Sequence, residues 1–126
     1  MTEMHSPKLT NDEVRKSVLD AVFALFDRWQ IHEINQAALL GVNRIDELKR
    51  NQWPENSSEV LEKIGYLLAI DQALLNYFQY EFTARDVWIF VPKKELADNS
   101  PLTVMLEFGL VGMQKVREFA ESLAED

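Results

Sequence analysis

SSEVLEKIGYLLAIDQALLNYFQY, residues 57–80, decides the fold. Its apolar residues Val60, Leu61, Ile64, Leu67, Leu68, Ile70, Leu74, Leu75 and Phe78, continued by Phe82, recur at helical spacings and spread over more than one face. A helix apolar on several sides has to be wrapped by neighbours, because one packed stripe leaves the rest in water. Just upstream, Trp53-Pro54-Glu55-Asn56-Ser57 breaks the chain, and Ser57 or Ser58 offers a hydroxyl to cap the new helix. Gly65 weakens the interior slightly and marks a candidate close crossing with another helix. The segment is expected to run to about Tyr80 as the spine of an all-α protein.

Toward the N-terminus, Thr10-Asn11-Asp12-Glu13 has the pattern of a capping box. Behind it Val14, Val18, Val22, Leu25, Phe26 and Trp29 form one apolar stripe on a helix ending near Arg28. A shorter helix spans Ile31 to Leu40 and closes at Gly41, which suits a left-handed cap. Asn43 is placed to cap the next helix, Arg44 to about Asn51, whose apolar side is Ile45 and Leu48.

Toward the C-terminus, Thr83 to Phe90 reads as a short helix, although Val87-Trp88-Ile89-Phe90-Val91 also suits a buried strand. Pro92 stops that element, and 93–99 is a polar loop. Ser100-Pro101 is a cap followed by proline at the first helical position, so another helix opens there, to be ended by Gly109. A final helix from about Leu110 to Leu123 puts Val111, Val116, Phe119, Ala120 and Leu123 on one side. The expected organisation is a flexible tail at 1–9, a helix-turn-helix-like domain at 10–56, and the long helix with a C-terminal domain at 57–126.

Composition narrows the function. The 126 residues are 47% hydrophobic and 27% charged, the range of folded domains that need no cross-links, and there is no cysteine. No segment approaches the ~18 apolar residues of a membrane span and the N-terminus has no apolar signal core, so a cytoplasmic protein with no membrane contact is expected. Net charge is −8, unevenly spread. Residues 1–53 carry 7 Lys/Arg against 8 Asp/Glu, and residues 54–126 carry 6 against 13. The acidic second half is repelled by phosphate backbones and drawn to basic protein surfaces, which leaves any nucleic-acid contact to the first half.

Catalytic machinery is not expected. The two imidazoles are His5, in the tail, and His32, beside Glu33 at a helix start, and no nucleophile–base pair or metal-ligand spacing accompanies them. Glycines at 41, 65, 109 and 112 are too sparse for a phosphate-cradling loop. The reading is therefore of a non-enzyme with no metal and no cofactor. Trp29, Trp53, Tyr66, Tyr77, Phe78, Tyr80, Phe82, Trp88 and Phe90 are expected to pack in the core and between helices, since basic residues do not interleave with them as single-strand binding requires.

Glu33 to Arg50 has the spacing of a helix-turn-helix. Ala37 permits close helix approach, Gly41 the tight turn, and Leu40 and Val42 anchor the pair so that the second helix stands outward. Asn43, Arg44, Lys49, Arg50 and Asn51 are the candidate contacts to phosphates or base edges. Against this, Glu47 occupies the usual apolar position six residues after the turn glycine, with Leu48 next to it. Asp46 and Glu47 also offset much of the positive charge, so a hairpin that no longer reads DNA stays open beside the DNA-binding one.

From Phe23 onward the order of features resembles the Xre/MbcA/ParS antitoxin family, over about four fifths of the chain. The resemblance begins with Ala37-Leu39-Leu40-Gly41-Val42 and Arg44 to Arg50. It continues through Trp53-Pro54, Leu61-Glu62-Lys63-Ile64, Leu67-Leu68-Ile70 and Leu74, then Ala84 to Trp88, Pro92, Ser100-Pro101-Leu102, and Gly109 through Val116. One departure is the loop Leu96-Ala97-Asp98-Asn99, which lacks a glycine usual there.

The resemblance implies a non-catalytic antitoxin whose C-terminal domain docks on a RES-type, NAD-consuming toxin and occludes its active site. It also implies possible repression of the antitoxin's own operon through the hairpin, as a homodimer or a hetero-oligomer with the toxin. The segment from Trp88 to Pro101 and Leu102, and Met113, Lys115, Val116, Arg117, Phe119 and Glu121 on the last helix, are the candidate toxin contacts. The alternative is a DNA-binding regulator with no toxin partner.

Overall fold

The computed structural model describes residues 10–125, so the tail at 1–9, with His5, lies outside them. The Thr10 hydroxyl accepts from the Glu13 amide at 3.0 Å, and the Glu13 carboxylate accepts from the Thr10 amide at 2.9 Å. With these orphan amides satisfied, helix α1 runs Asn11–Trp29. It is followed by α2 (Glu33–Leu40), α3 (Ile45–Lys49), α4 (Ser57–Phe78), α5 (Phe82–Val87) and α6 (Pro101–Ser122), with 3-10 turns at Trp88–Phe90 and Lys94–Leu96. Among the described residues there is no strand, only an isolated bridge pairing Lys93 with Asn99. The protein is all-α, and the aromatic run 88–90 winds on from α5 as a helical turn.

Helix α4 is the spine. Val60, Ile64, Leu67, Ile70 and Leu74 are fully buried along it, and α1, α2, α5 and α6 pack around it. Each such side chain contributes about 1.5–3 kcal/mol of hydrophobic stabilisation. A single cluster of buried side chains extends from Leu19 in α1 to Ala120 in α6, so the hairpin and the C-terminal region share one core.

Several boundaries differ from the sequence expectation. Val14 faces solvent, because the buried stripe of α1 begins only at Leu19. Helix α4 is preceded by Asn56 with no side-chain cap, and the Ser57 hydroxyl instead accepts from Arg15 Nη2 at 3.4 Å. Asn43 does not cap α3. Arg44 holds that position, and the left-handed backbone of Asn51 (φ 62°) follows the short helix.

Gly65 makes no close crossing, since a Cβ there meets nothing within 4 Å. It is an exposed glycine inside a helix, so Gly65→Ala is expected to stabilise the protein by about 0.5–1 kcal/mol, read as a higher urea midpoint at unchanged slope. The close crossing lies in α6. Gly109 (φ 59°, ψ −132°) breaks that helix into two arms, 101–108 and 110–122, in a conformation L side chains rarely adopt. The arms fold so tightly that a Cβ on Gly112 would lie 2.3 Å from the Val104 carbonyl oxygen.

A charged clamp ties three helices together. Arg28 of α1 donates to Asp71 of α4 and, through Nε, to Asp86 of α5 at 3.2 Å, while Arg85 Nε donates to the same Asp86 oxygen at 2.8 Å. Burial raises the Asp86 carboxyl, but its hydrogen bonds and charge attraction to Arg85 and Arg28 prevail and hold it below the usual carboxylate range. A folded-state value below the unfolded one (about 3.9 for Asp) gives stability that is present at neutral pH and lost as pH falls through the folded value. Asp86→Asn is therefore expected to lower stability at pH 7 and to flatten its fall below about pH 4, measured by urea unfolding between pH 7 and pH 2.5.

Candidate protein-docking face

The elbow of α6 and the loop before it border a groove in the C-terminal region. The Ser100 hydroxyl accepts from the Thr103 amide at 3.1 Å and Pro101 takes the first turn, so the first arm starts where the sequence places it. Ahead of it, the Lys93 and Asp98 amides donate to the Asn99 and Lys93 carbonyls at 3.1 and 2.9 Å, closing a tight loop. Ala97 and Asp98 both have left-handed backbones (φ 56° and 65°), a conformation glycine adopts more readily than a residue with a Cβ. Here Ala and Asp carry that strain.

Between loop and elbow lies a groove of about 280 Å³ lined by Glu95, Leu96, Ala97, Asn99, Val104, Phe108, Val111, Gly112 and Lys115. Phe108 is 59% and Val111 67% exposed, one at each side of the Gly109 break. Large apolar side chains left in water beside a preformed groove are a feature of contact surfaces. Glu95, Asp98 and Glu107 are exposed on the same loop and arm, and so are the cations Lys94 on the loop and Lys115 on the second arm.

The candidate contacts divide sharply by burial. Trp88, Pro101, Leu102, Met113 and Val116 are interior, so their side chains hold the domain together and do not reach its surface. Trp88 is the pivot: Phe119 packs on it at 5.6 Å between centroids, and the Lys93 ammonium sits 4.9 Å from its ring. Burial there lowers the Lys93 pKa against the opposing pull of Glu95. Phe119 is half-buried. Lys115, Arg117 and Glu121 are exposed, with Arg117 Nε donating to Glu121 at 3.1 Å and its guanidinium 5.8 Å from the Tyr66 ring. Val111, expected on the inward side of the last helix, points outward, because on the second arm it lies roughly opposite the buried side of Met113, Val116 and Ala120.

Phe108 and Val111 had a signal in the sequence. The run 101–113, PLTVMLEFGLVGM, has only Thr103 and Glu107 as polar residues, too many apolar side chains for one buried face.

In the hairpin, Ile45 and Leu48 anchor α3, with Leu48 rather than Glu47 turned inward. The candidate DNA contacts are largely engaged within the chain. Arg44 lies 3.6 Å from Asp46 and 3.9 Å from Glu47, Arg50 3.7 Å from Asp46, and Lys49 3.0 Å from Glu33. Asn51 donates to Asp12 at 2.8 Å and accepts from Trp53 Nε1 at 2.6 Å. Asn43 is exposed in the turn. No group of three or more His, Cys, Asp or Glu suited to a metal ion occurs among the described residues, and no helix among them is long and apolar enough to cross a membrane.

Fold and surface together define a small all-α protein with a helical hairpin in front and a kinked, apolar-faced helix behind. Its sequence is 28% identical over 108 residues, 82% of this chain and 81% of the relative, to an uncharacterized protein, y4oB, of Sinorhizobium fredii. No family model and no solved structure matches.

Proposed function

We propose that this protein is an antitoxin of the Xre/MbcA/ParS type, a cytoplasmic, non-catalytic inhibitor that binds a RES-type NAD-consuming toxin and blocks its active site. The observation that carries the reading is the pair Phe108 and Val111, held in water by the Gly109 elbow beside the loop 93–99. The order of motifs from Ala37 to Val116 supports it, and so does charge. A cleft that handles a phosphate-rich dinucleotide is basic, and the half of the chain carrying the elbow has 13 acidic against 6 basic residues. The first contacts are then electrostatic, and the two apolar side chains act as anchors.

Operator binding is the secondary part of this reading. Arg44, Lys49 and Arg50 each face a carboxylate within 4 Å, which lowers the net attraction of α3 for phosphate and weighs against a regulator that acts without a partner. Any repression is then expected from a multimer that reads two half-sites.

Co-expression with the product of the adjoining reading frame tests the proposal. The expected result is restored growth together with co-purification of the two chains. Continued toxicity with no complex overturns it.

A further inference from the structure

We propose that Arg44 and Arg50 form a phosphate-binding site for nucleic acid that Asp46 closes from within, its carboxylate standing where a phosphodiester would bridge the two guanidiniums. The two arginines flank α3, one before it and one after. Arg44 Nε lies 3.6 Å from Asp46 Oδ1 and Arg50 Nη1 3.7 Å from Asp46 Oδ2, so each carboxylate oxygen meets one guanidinium. Two cations are thereby drawn toward one point. A phosphodiester carries the same single charge on two free oxygens and suits the same bridge. Both distances exceed the roughly 2.7–2.9 Å of a charge-assisted hydrogen bond, so the guanidinium N–H groups are not committed to Asp46. Arg44 and Asp46 also line an open hollow of about 530 Å³ with the exposed amide of Asn43, which leaves the pair within reach from solvent.

Asp46 adds little to the fold. All three side chains are more than half exposed, and ion pairs in water contribute almost nothing net. The carboxylate acts instead on what α3 attracts. Residues 33–54 carry 3 Lys/Arg against 3 Asp/Glu, so that stretch is neutral, and Asp46→Asn alone makes it positive. The inference deepens the operator-binding part of the reading above, on which it rests for the class of partner, and does not involve the toxin. A nucleic acid fits the site better than an acidic peptide does. Exchanging Asp46 for a partner's carboxylate leaves the number of ion pairs nearly unchanged. Successive phosphates give Arg44 and Arg50 a partner each and release condensed counterions.

Fluorescence anisotropy of a labelled random-sequence duplex, titrated with the full chain from about 50 to 200 mM salt, tests this. The wild-type chain is expected to bind weakly, and Asp46→Asn at least about tenfold more tightly at about 50 mM salt. The log–log salt slope of Asp46→Asn is expected to steepen by up to about 1.8, the value for two phosphates. Asp46→Asn combined with Arg44→Ala and Arg50→Ala returns to wild-type affinity. Glu118→Gln, which removes one exposed negative charge from α6, shifts affinity by less than about twofold and controls for net charge. All variants keep the wild-type helical signal and melting temperature. The proposal is overturned by no gain in Asp46→Asn, by a gain that survives loss of both arginines, by an equal gain in Glu118→Gln, or by an equal gain toward poly-glutamate. The operator reading fails separately, if the wild-type chain shows no preference for the DNA upstream of its gene over the random duplex.

Discussion

Gly112→Ala is expected to destabilise the protein by about 3 kcal/mol or more, the upper range for over-packed sites. The added Cβ would sit 2.3 Å from the Val104 carbonyl oxygen, 3.0 Å from its carbon and 3.2 Å from the Phe108 Cβ. Two of these neighbours are backbone, and they belong to the first arm of α6, which Ser100, Pro101 and the buried Leu102, Val104 and Met105 hold in place. The clash is relieved only by opening the elbow, which withdraws Met113 and Val116 from the core. Gly65→Ala, the same chemical change in open solvent, serves as the internal control and moves stability the other way. Urea unfolding of the two variants side by side measures both, and equal small effects would mean that the arms of α6 do not meet at Gly112.

Phe108→Asp with Val111→Asp is expected to lower affinity for the toxin at least about 1,000-fold, or roughly 4 kcal/mol. Both side chains are exposed in the free chain, so their removal takes nothing from the core. In the proposed complex they would be anchors against a basic cleft. The new carboxylates keep the electrostatic attraction, which isolates the apolar contribution and places the loss in the dissociation rate rather than the association rate. Calorimetric titration against the toxin, with circular dichroism as the fold check, reads the effect. Unchanged affinity in a folded variant would move the contact surface away from the elbow.

Local chemistry made most of the helical frame legible. The capping box at Thr10, the glycine cap at Gly41, the Ser100-Pro101 start and the break at Gly109 are each decided by residues within a turn of one another, and each stands where the sequence puts it. Features set by distant contacts were not legible in the same way. Nothing local separates Gly65 from Gly112, yet one lies in open solvent and the other against a backbone eight residues away, because a reversal at Gly109 decides it.

The surfaces were read less well than the frame, for a related reason. Tyr77, Tyr80, Phe82 and Phe90 are exposed although residue type alone points to packing; for Tyr80 and Phe82 the reason is that α4 ends at Phe78 and the strained turn at Gln79 carries them outward. At the C-terminal end, the residues that mark the family resemblance, Trp88, Pro101, Leu102 and Val116, are interior. Of the two exposed apolar residues at the elbow, Val111 lies within the stretch that carries the resemblance and Phe108 outside it. The clamp of Arg28, Asp71 and Asp86 was invisible in the sequence, since its members lie 43 and 58 residues apart.

The most direct measurement is a titration of the toxin's NAD consumption with the purified chain, at a toxin concentration well above the dissociation constant. Activity is expected to fall in a straight line to zero at a fixed molar equivalence, with the chain itself unaltered and unable to consume NAD. Full toxin activity in the presence of a large excess of the chain would contradict the account.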